Sequence, residues 1–437
     1  MIKINNNITV IGLGYVGSTV ASCLADVGFH VICVEKDEEK VKRINERRSP
    51  INNMKFDAIF GKYGEDRLIA TTDLDYAIKN SCISFVCVNT PIKDENKIDT
   101  SDVEATVSNI GKSISKIDDF HVIVIKSTIL PRTSENLIIP RLEQNSKKDV
   151  VKDFGIVVNP EFLREGNEID DFTKPDRIVI GEMIEDKRSG DILIEIYKKM
   201  IASGTPIIRT DLCTAEMIKY VSNAFLATKI SFSNEIGNYC KLLGIDVYNV
   251  MNAVGLDHRV SSDYLNAGVG FGGPCLEKDL LALIGCGTEI QYEPRLLNAV
   301  KDVNDDQPRR MIDLLESKLN GLKGKKIAVL GLAFKPGTDD VRGSRAIPLI
   351  KMLLKRDAIV KAYDPLAIER MRLVDSIGPV EYVDNIDDAL KDVQGCLIVT
   401  EWPEFKQISD KMDNIIVIEG RRVLNDKLNA NCEGICW

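Results

Sequence analysis

A short apolar, β-branched run, ITVIG at 8–12, leads directly into GLGYVG at 12–17 and then VGSTVASCLADVG, whose apolar residues fall at helical steps. The strand-like HVICVE follows at 30–35, so this stretch reads as strand, glycine turn, helix, strand. Parallel strands need such a crossover, and the segment therefore commits the chain to an α/β fold. In the turn, Gly12 permits a tight reversal, Gly14 admits an anion to backbone N–H groups, and Gly17 lets helix and strand pack closely. Glu35 ends the second strand, where a carboxylate accepts hydrogen bonds from ribose hydroxyls and repels a 2′-phosphate. That favours NAD over NADP, although Lys36 and Lys40 pull the other way.

Further strand candidates are CISFVCV at 82–88, HVIVIKS at 121–127, FGIVVNP at 154–160 and DRIVIGE at 176–182. Nearly continuous apolar strands separated by helix-length segments predict a parallel sheet covered on both faces. From about Asp211 the pattern changes: the segment beginning LCTAEMIKYVSNAFLATKISFSNE has apolar residues three and four apart and predicts a long helix. GLKGKKIAVLGLAF then restarts the alternation, and AIVKAYDP, VEYV, GCLIVT and NIIVIEG supply more strands. The predicted architecture is α/β: two Rossmann-like, doubly wound domains, 1–208 and 319–437, joined by a central helical segment, 209–318, with the long helix in it.

At 437 residues the chain exceeds what one core supports, and 44% hydrophobic with 28% charged residues describes a soluble globular protein. A net charge of −9 works against a nucleic-acid surface. The opening MIKINNNITVIGLG lacks a leader pattern, and the apolar run HVIVIKSTIL is interrupted by Lys126 and too short to span a bilayer. Eleven scattered cysteines without CxxC spacing predict reduced thiols and a cytosolic setting. With three histidines (His30, His121, His258), no metal site is expected.

GFGGPCLEKDL at 270–280 surrounds one thiol with little side-chain bulk. Pro274 suits a helix start and LEKDLLALI continues with helical spacing, which places Cys275 at a helix N-terminus. Exposed amides there favour a thiolate, the glycines leave room for backbone to close on a substrate, and Asp279 follows one turn later on the same face. Lys219 and Asn223, four apart on the long helix, can meet at one oxyanion.

In GLGYVG, VNTP at 88–91, KSTILP at 126–131, NPEFLREG at 159–166, AEMIKYVSNAFLATKISFSNE at 215–235, GFGGPCLEKD and GLAFKPGTDDVR at 331–342, the chain resembles the UDP-glucose/GDP-mannose 6-dehydrogenase family over nearly its whole length. The resemblance implies NAD-dependent, four-electron oxidation of a nucleotide-sugar C6 alcohol to the acid, through a thiohemiacetal and a thioester on Cys275. It implies that Lys219 and Asn223 stabilise charge at C6, that Glu161 is a base or water positioner, that Thr128 holds a reactive water, and that Asp279 handles protons. For the cofactor it implies Gly12, Gly14, Tyr15, Val16, Gly17, Glu35, Lys40, Thr90, Pro91, Thr128, Glu165 and Arg342. For the substrate it implies Glu161, Phe162, Leu163, Lys219, Asn223, Phe271, Gly272, Gly273, Lys335 and Arg421. Arg259 matches an arginine that enters the neighbouring subunit's site, which implies a homodimer; a surface ion pair is the plain alternative.

UDP-glucose is the first choice of substrate. Pro274 and Glu277 depart from the commoner GGSCFPKD wording and keep GDP-mannose and a UDP-N-acetylhexosamine in play. A two-electron 3-hydroxyacid-type dehydrogenase would need neither Cys275 nor the second α/β domain, and a noncatalytic nucleotide-sugar binder would not need the set Cys275, Lys219, Asn223 and Asp279.

Overall fold

The computed structural model describes residues 6–51, 54–93, 96–375, 377–408, 411–412, 414–424 and 431–437. The first five residues, on which part of the expectation of a leaderless start rests, lie outside them. The chain forms two compact units, Met1–Val221 and Ser222–Trp437. The boundary falls inside the long helix, Leu212–Leu243, so the central segment expected at 209–318 contributes to both.

Among the described residues the first unit has an eight-stranded sheet: β1 (Asn7–Ile11), β2 (His30–Val34), β3 (Leu68–Thr71), β4 (Ile83–Val86), β5 (His121–Ile125), β6 (Phe154–Val158), β7 (Ile178–Glu182) and β8 (Ile207–Thr210). Their order is β3-β2-β1-β4-β5-β6-β7-β8. Both faces are covered, as the apolar runs require: along β1, Ile8 and Val10 enter one core cluster and Ile11 another, and along β5, Val122 and Val124 alternate with Ile123 and Ile125 in the same way. Strand order reverses between β1 and β4, which opens a crevice beyond their carboxyl ends, where Gly12 begins its turn.

One pairing departs from the all-parallel expectation. β6 and β7 run antiparallel, with Val157 opposite Glu182. A buried apolar strand reads the same in either direction, so sequence alone could not reveal this. β3 and β8 were also missed, being four residues each and partly exposed.

The second unit carries, among the described residues, β9 (Lys326–Leu330), β10 (Ile359–Tyr363), β11 (Glu381–Tyr382), β12 (Gly395–Ile398), β13 (Ile416–Glu419) and β14 (Cys432–Gly434) in the order β11-β10-β9-β12-β13-β14, all parallel. Just after β10, Asp364 is buried and accepts from Leu332 N and Ala333 N in the turn after β9, and from Leu366 N, Ala367 N and Trp402 Nε1. The helices Leu276–Glu289 and Arg295–Leu319 belong to this unit. No helix among the described residues is long and apolar enough to cross a membrane.

Candidate active site

The glycine turn of the first unit discriminates among its three glycines. Gly12 has φ +87°, a left-handed conformation that side chains resist. A Cβ on Gly17 would lie 1.8 Å from Gly12 O, so close packing of helix on turn requires glycine there. Gly14 is different: a Cβ would meet nothing closer than Asn89 Oδ1 at 3.9 Å, so packing within the chain does not demand a glycine. It is the N-cap of the helix Tyr15–Asp26, whose first amides receive no side-chain cap. Uncapped amides with space before them fit a dinucleotide's pyrophosphate. Tyr15 and Val16 occupy the first turn, half-buried.

Glu35 follows β2 and is 7% exposed. It accepts from Leu13 N at 2.9 Å, Lys36 N at 2.9 Å and Asp37 N at 3.3 Å, and Lys40 Nζ lies 3.5 Å away. The carboxylate is thereby fixed beside the glycine turn, where an adenosine ribose would meet it. Thr90 is buried, Pro91 exposed and Thr128 half-buried in the loops after β4 and β5.

Deeper in this unit lies a buried charge cluster. Glu161 Oε1 accepts from Lys219 Nζ at 2.8 Å, and its Oε2 accepts from Leu163 N at 2.6 Å. Burial alone would raise the Glu161 pKa, but Lys219, aided by the Leu163 amide and Lys126, holds it below the usual carboxylate value. Glu161 is therefore ionised at neutral pH, more a charge partner than a strong base. Lys126, 3% exposed, has its pKa lowered to about 8, chiefly by burial. Its ammonium stands 5.5 Å from the Phe172 ring and 5.9 Å from that of Tyr197. Arg177 stacks over Phe162 at 4.0 Å. The segment holding Glu161, Phe162, Leu163 and Glu165 is a loop, so the four-residue spacing of the two acids does not set them on one helix face.

In the second unit Cys275 is the N-cap of the helix Leu276–Glu289, with no side-chain cap bond, as its proline and helical spacing predicted. Of the eleven thiols it alone is exposed. Asp279 N donates to Cys275 O at 3.0 Å, one helical turn on. Asp279 is 1% exposed; its Oδ2 accepts from Asn223 Nδ2 at 2.6 Å and its Oδ1 from Lys278 Nζ at 2.6 Å. Lys219 and Asn223 are thus one turn apart on a helix, each donating to a buried carboxylate.

The glycines before Cys275 do not simply leave space. A Cβ on Gly268 would lie 2.3 Å from Gly420 O, one on Gly272 would lie 2.2 Å from Gly343 O, and one on Gly273, at φ +90°, would lie 2.8 Å from the Phe334 ring. The chain's own backbone takes that room. Asn304 grips the segment at both ends of one residue, accepting from Phe271 N at 2.7 Å and donating to Phe271 O at 3.2 Å. This packing brings Phe271, Gly272 and Gly273 beside Phe334, whose neighbour Lys335 is half-buried. Arg421 donates to Gly270 O and lies 3.7 Å from Glu401. By contrast, Arg342 is held by Asp340 (Nε–Oδ2 2.9 Å), and Arg259, 77% exposed in its side chain, is held by Asp257 (Nε–Oδ1 3.0 Å).

Sequence reasoning passed over Lys126, Asn304 and Arg345. Lys126 was visible as a charge interrupting an apolar run. Arg345 is 8% exposed and pairs with Glu277 at 3.2 Å, giving the unusual acid after Cys275 a structural partner; only the fold brings them together.

The chain's residues 6–201 match the NAD-binding domain of the UDP-glucose/GDP-mannose dehydrogenase family, 213–306 its central domain and 328–426 its UDP-binding domain. The chain belongs to this family. Within it, UDP-glucose 6-dehydrogenase AglM of Haloferax volcanii is 43% identical over 98% of this chain and 99% of its own length. A UDP-glucose dehydrogenase structure from Pyrobaculum islandicum superposes with a TM-score of 0.92 at 37% identity, covering 99% of this chain and 98% of that one. A UDP-D-ManNAc dehydrogenase from Pyrococcus horikoshii gives 0.85 at 26% identity, covering 98% and 99%. The family's NAD-binding domain contains the glycine turn and Glu35, and its UDP-binding domain contains Lys335 and Arg421.

Proposed function

We propose that this chain oxidises UDP-glucose to UDP-glucuronate, with four electrons removed at C6 and Cys275 as the covalent nucleophile. The observation that carries this reading is the single exposed thiol at an uncapped helix start, one turn from a buried Asp279–Asn223 pair. A two-electron dehydrogenase has no use for that arrangement. Relatives named UDP-glucose 6-dehydrogenase support the choice of sugar.

NAD, rather than NADP, is the cofactor in this reading, accepting one hydride in each of two oxidations. Gly12, Gly14, Tyr15, Val16 and Gly17 hold its pyrophosphate, Glu35 its ribose, with Lys40, Thr90, Pro91, Thr128, Glu165 and Arg342 around it. Lys219 and Asn223 stabilise negative charge on the C6 oxygen. The Cys275 thiolate bonds to the aldehyde carbon, and the resulting thiohemiacetal carries the hydrogen lost in the second oxidation, leaving a thioester. Water positioned by Thr128 and Glu161 then breaks the C–S bond, and Asp279 takes part in the proton transfers, restoring the thiolate. Phe162, Leu163, Phe271, Gly272, Gly273, Lys335 and Arg421 hold the nucleotide sugar.

The division 1–208, 209–318 and 319–437 enters this reading as cofactor, central and nucleotide-sugar segments, working in a reducing cytosol. The assembly is a homodimer: the long helix exposes Phe225, Phe232, Tyr239, Leu242 and Leu243, an apolar face suited to a second copy, with Arg259 directed to that copy's site. NADH production from UDP-glucose, GDP-mannose and UDP-N-acetylhexosamines tests the substrate. Preference for UDP-glucose supports the reading, and turnover confined to another sugar overturns that part.

A further inference from the structure

Glu216 stands on the long helix three residues before Lys219 and has no part in the chemistry above. It is 2% exposed, and its carboxylate reaches another segment: Oε2 accepts from Arg132 N at 2.6 Å and Oε1 from Ser134 N at 2.9 Å. Those amides open the helical run Ser134–Ile138 and Ile139–Ser146, which starts without a side-chain cap at Thr133. Amides at a helix start lack partners and favour an anion, so Glu216 supplies from a distant helix the cap that the local sequence does not. Arg132 is held at φ +72°, a left-handed conformation that a non-glycine residue resists. The other end of the loop is fastened separately, by Ser127 Oγ to Val88 O at 2.7 Å and Lys126 N to Val86 O at 2.9 Å. Thr128 lies between the two anchors.

We propose that Glu216 is a positioning residue for Thr128, clamping the 128–134 segment to the helix that carries Lys219. The inference rests on the dehydrogenase reading for Thr128's role, whereas the clamp itself is independent of substrate. Burial pushes the Glu216 pKa up to about 7 against the pull of its two amide donors, with Glu135 adding to the rise. Its titratable surroundings are Glu135 on the helical run and Cys213 one turn earlier on its own helix, while Arg132 reaches it through the backbone N–H. A proton added to the carboxyl faces an N–H donor instead of accepting from it, so the clamp loosens as pH falls through about 7.

Hydrogen exchange and kinetics on the full chain test this together. In Glu216→Gln, the peptide covering 128–138 is expected to exchange roughly tenfold faster at pH 8 while others hold. kcat should fall roughly 10- to 100-fold with little change in KM for the nucleotide sugar. The double variant Thr128→Ala with Glu216→Gln should be no slower than the slower of the two single variants, and the acid limb of kcat near pH 7 should vanish with Glu216. Unchanged exchange in that peptide, or losses that multiply in the double variant, overturns the proposal. If Glu216→Gln fails to fold, Glu216→Asp, with its shorter reach, must show the same local loosening; normal exchange and kcat in it also overturn the proposal. A wild-type enzyme inactive on every nucleotide sugar would instead count against the dehydrogenase reading, and the exchange result would still decide the clamp.

Discussion

At the level of single residues, Gly14 and Gly17 separate binding from folding. Gly14→Ala meets no close neighbour and should cost no more than about 1 kcal/mol of stability while raising the KM for NAD at least roughly tenfold, because a methyl group occupies the anion's approach. Gly17→Ala must displace backbone from 1.8 Å and should destabilise by about 3 kcal/mol or more. Urea unfolding beside NAD titration distinguishes the two; equal stability losses would contradict the assignment. Cys275→Ser places a favoured N-cap residue at the same helix start, so its melting temperature should not fall. Acid formation should nevertheless drop roughly 10³-fold or more, measured by separating the nucleotide sugars after reaction. These residues were legible because each motif sits where its chemistry needs it: a strand before GLGYVG, a proline before the thiol. The roles of Lys126 and Arg345 were not, since Glu161, Phe172 and Tyr197 around the one and Glu277 beside the other are far away in sequence, and the glycines at 270–273 misled because the groups that fill their space come from 304, 334 and 343.

At the level of elements, β5 carries a pH-sensitive packing contact. His121 is fully buried, with Nε2 2.7 Å from Ser84 Oγ on β4, and burial lowers its pKa to about 4. Its folded pKa lies below the unfolded value of about 6.5, so the contribution is complete above pH 6.5 and is lost as pH falls towards 4, where the unfolded chain alone takes the proton. The loss amounts to about 3 kcal/mol, and in His121→Gln the urea midpoint should fall correspondingly less between pH 7 and pH 4. Parallel acid-side slopes in the two proteins would contradict this. Strands and the long helix were readable from periodicity and apolar runs, and the helix Leu212–Leu243 begins at the leucine that opens its sequence pattern. The antiparallel β6–β7 pair was unreadable because direction leaves no mark on a strand buried on both faces.

At the level of the whole molecule, the exposed face of the long helix predicts a solution mass of twice the 48.6 kDa chain. Phe225→Glu with Tyr239→Glu should yield monomers by light scattering; a monomeric wild type would refute the dimer. The proposed reaction is two successive oxidations at one carbon held by sulfur. Counting NADH formed per UDP-glucose consumed to completion tests this most directly: the covalent route predicts two, and a ratio of one would contradict it.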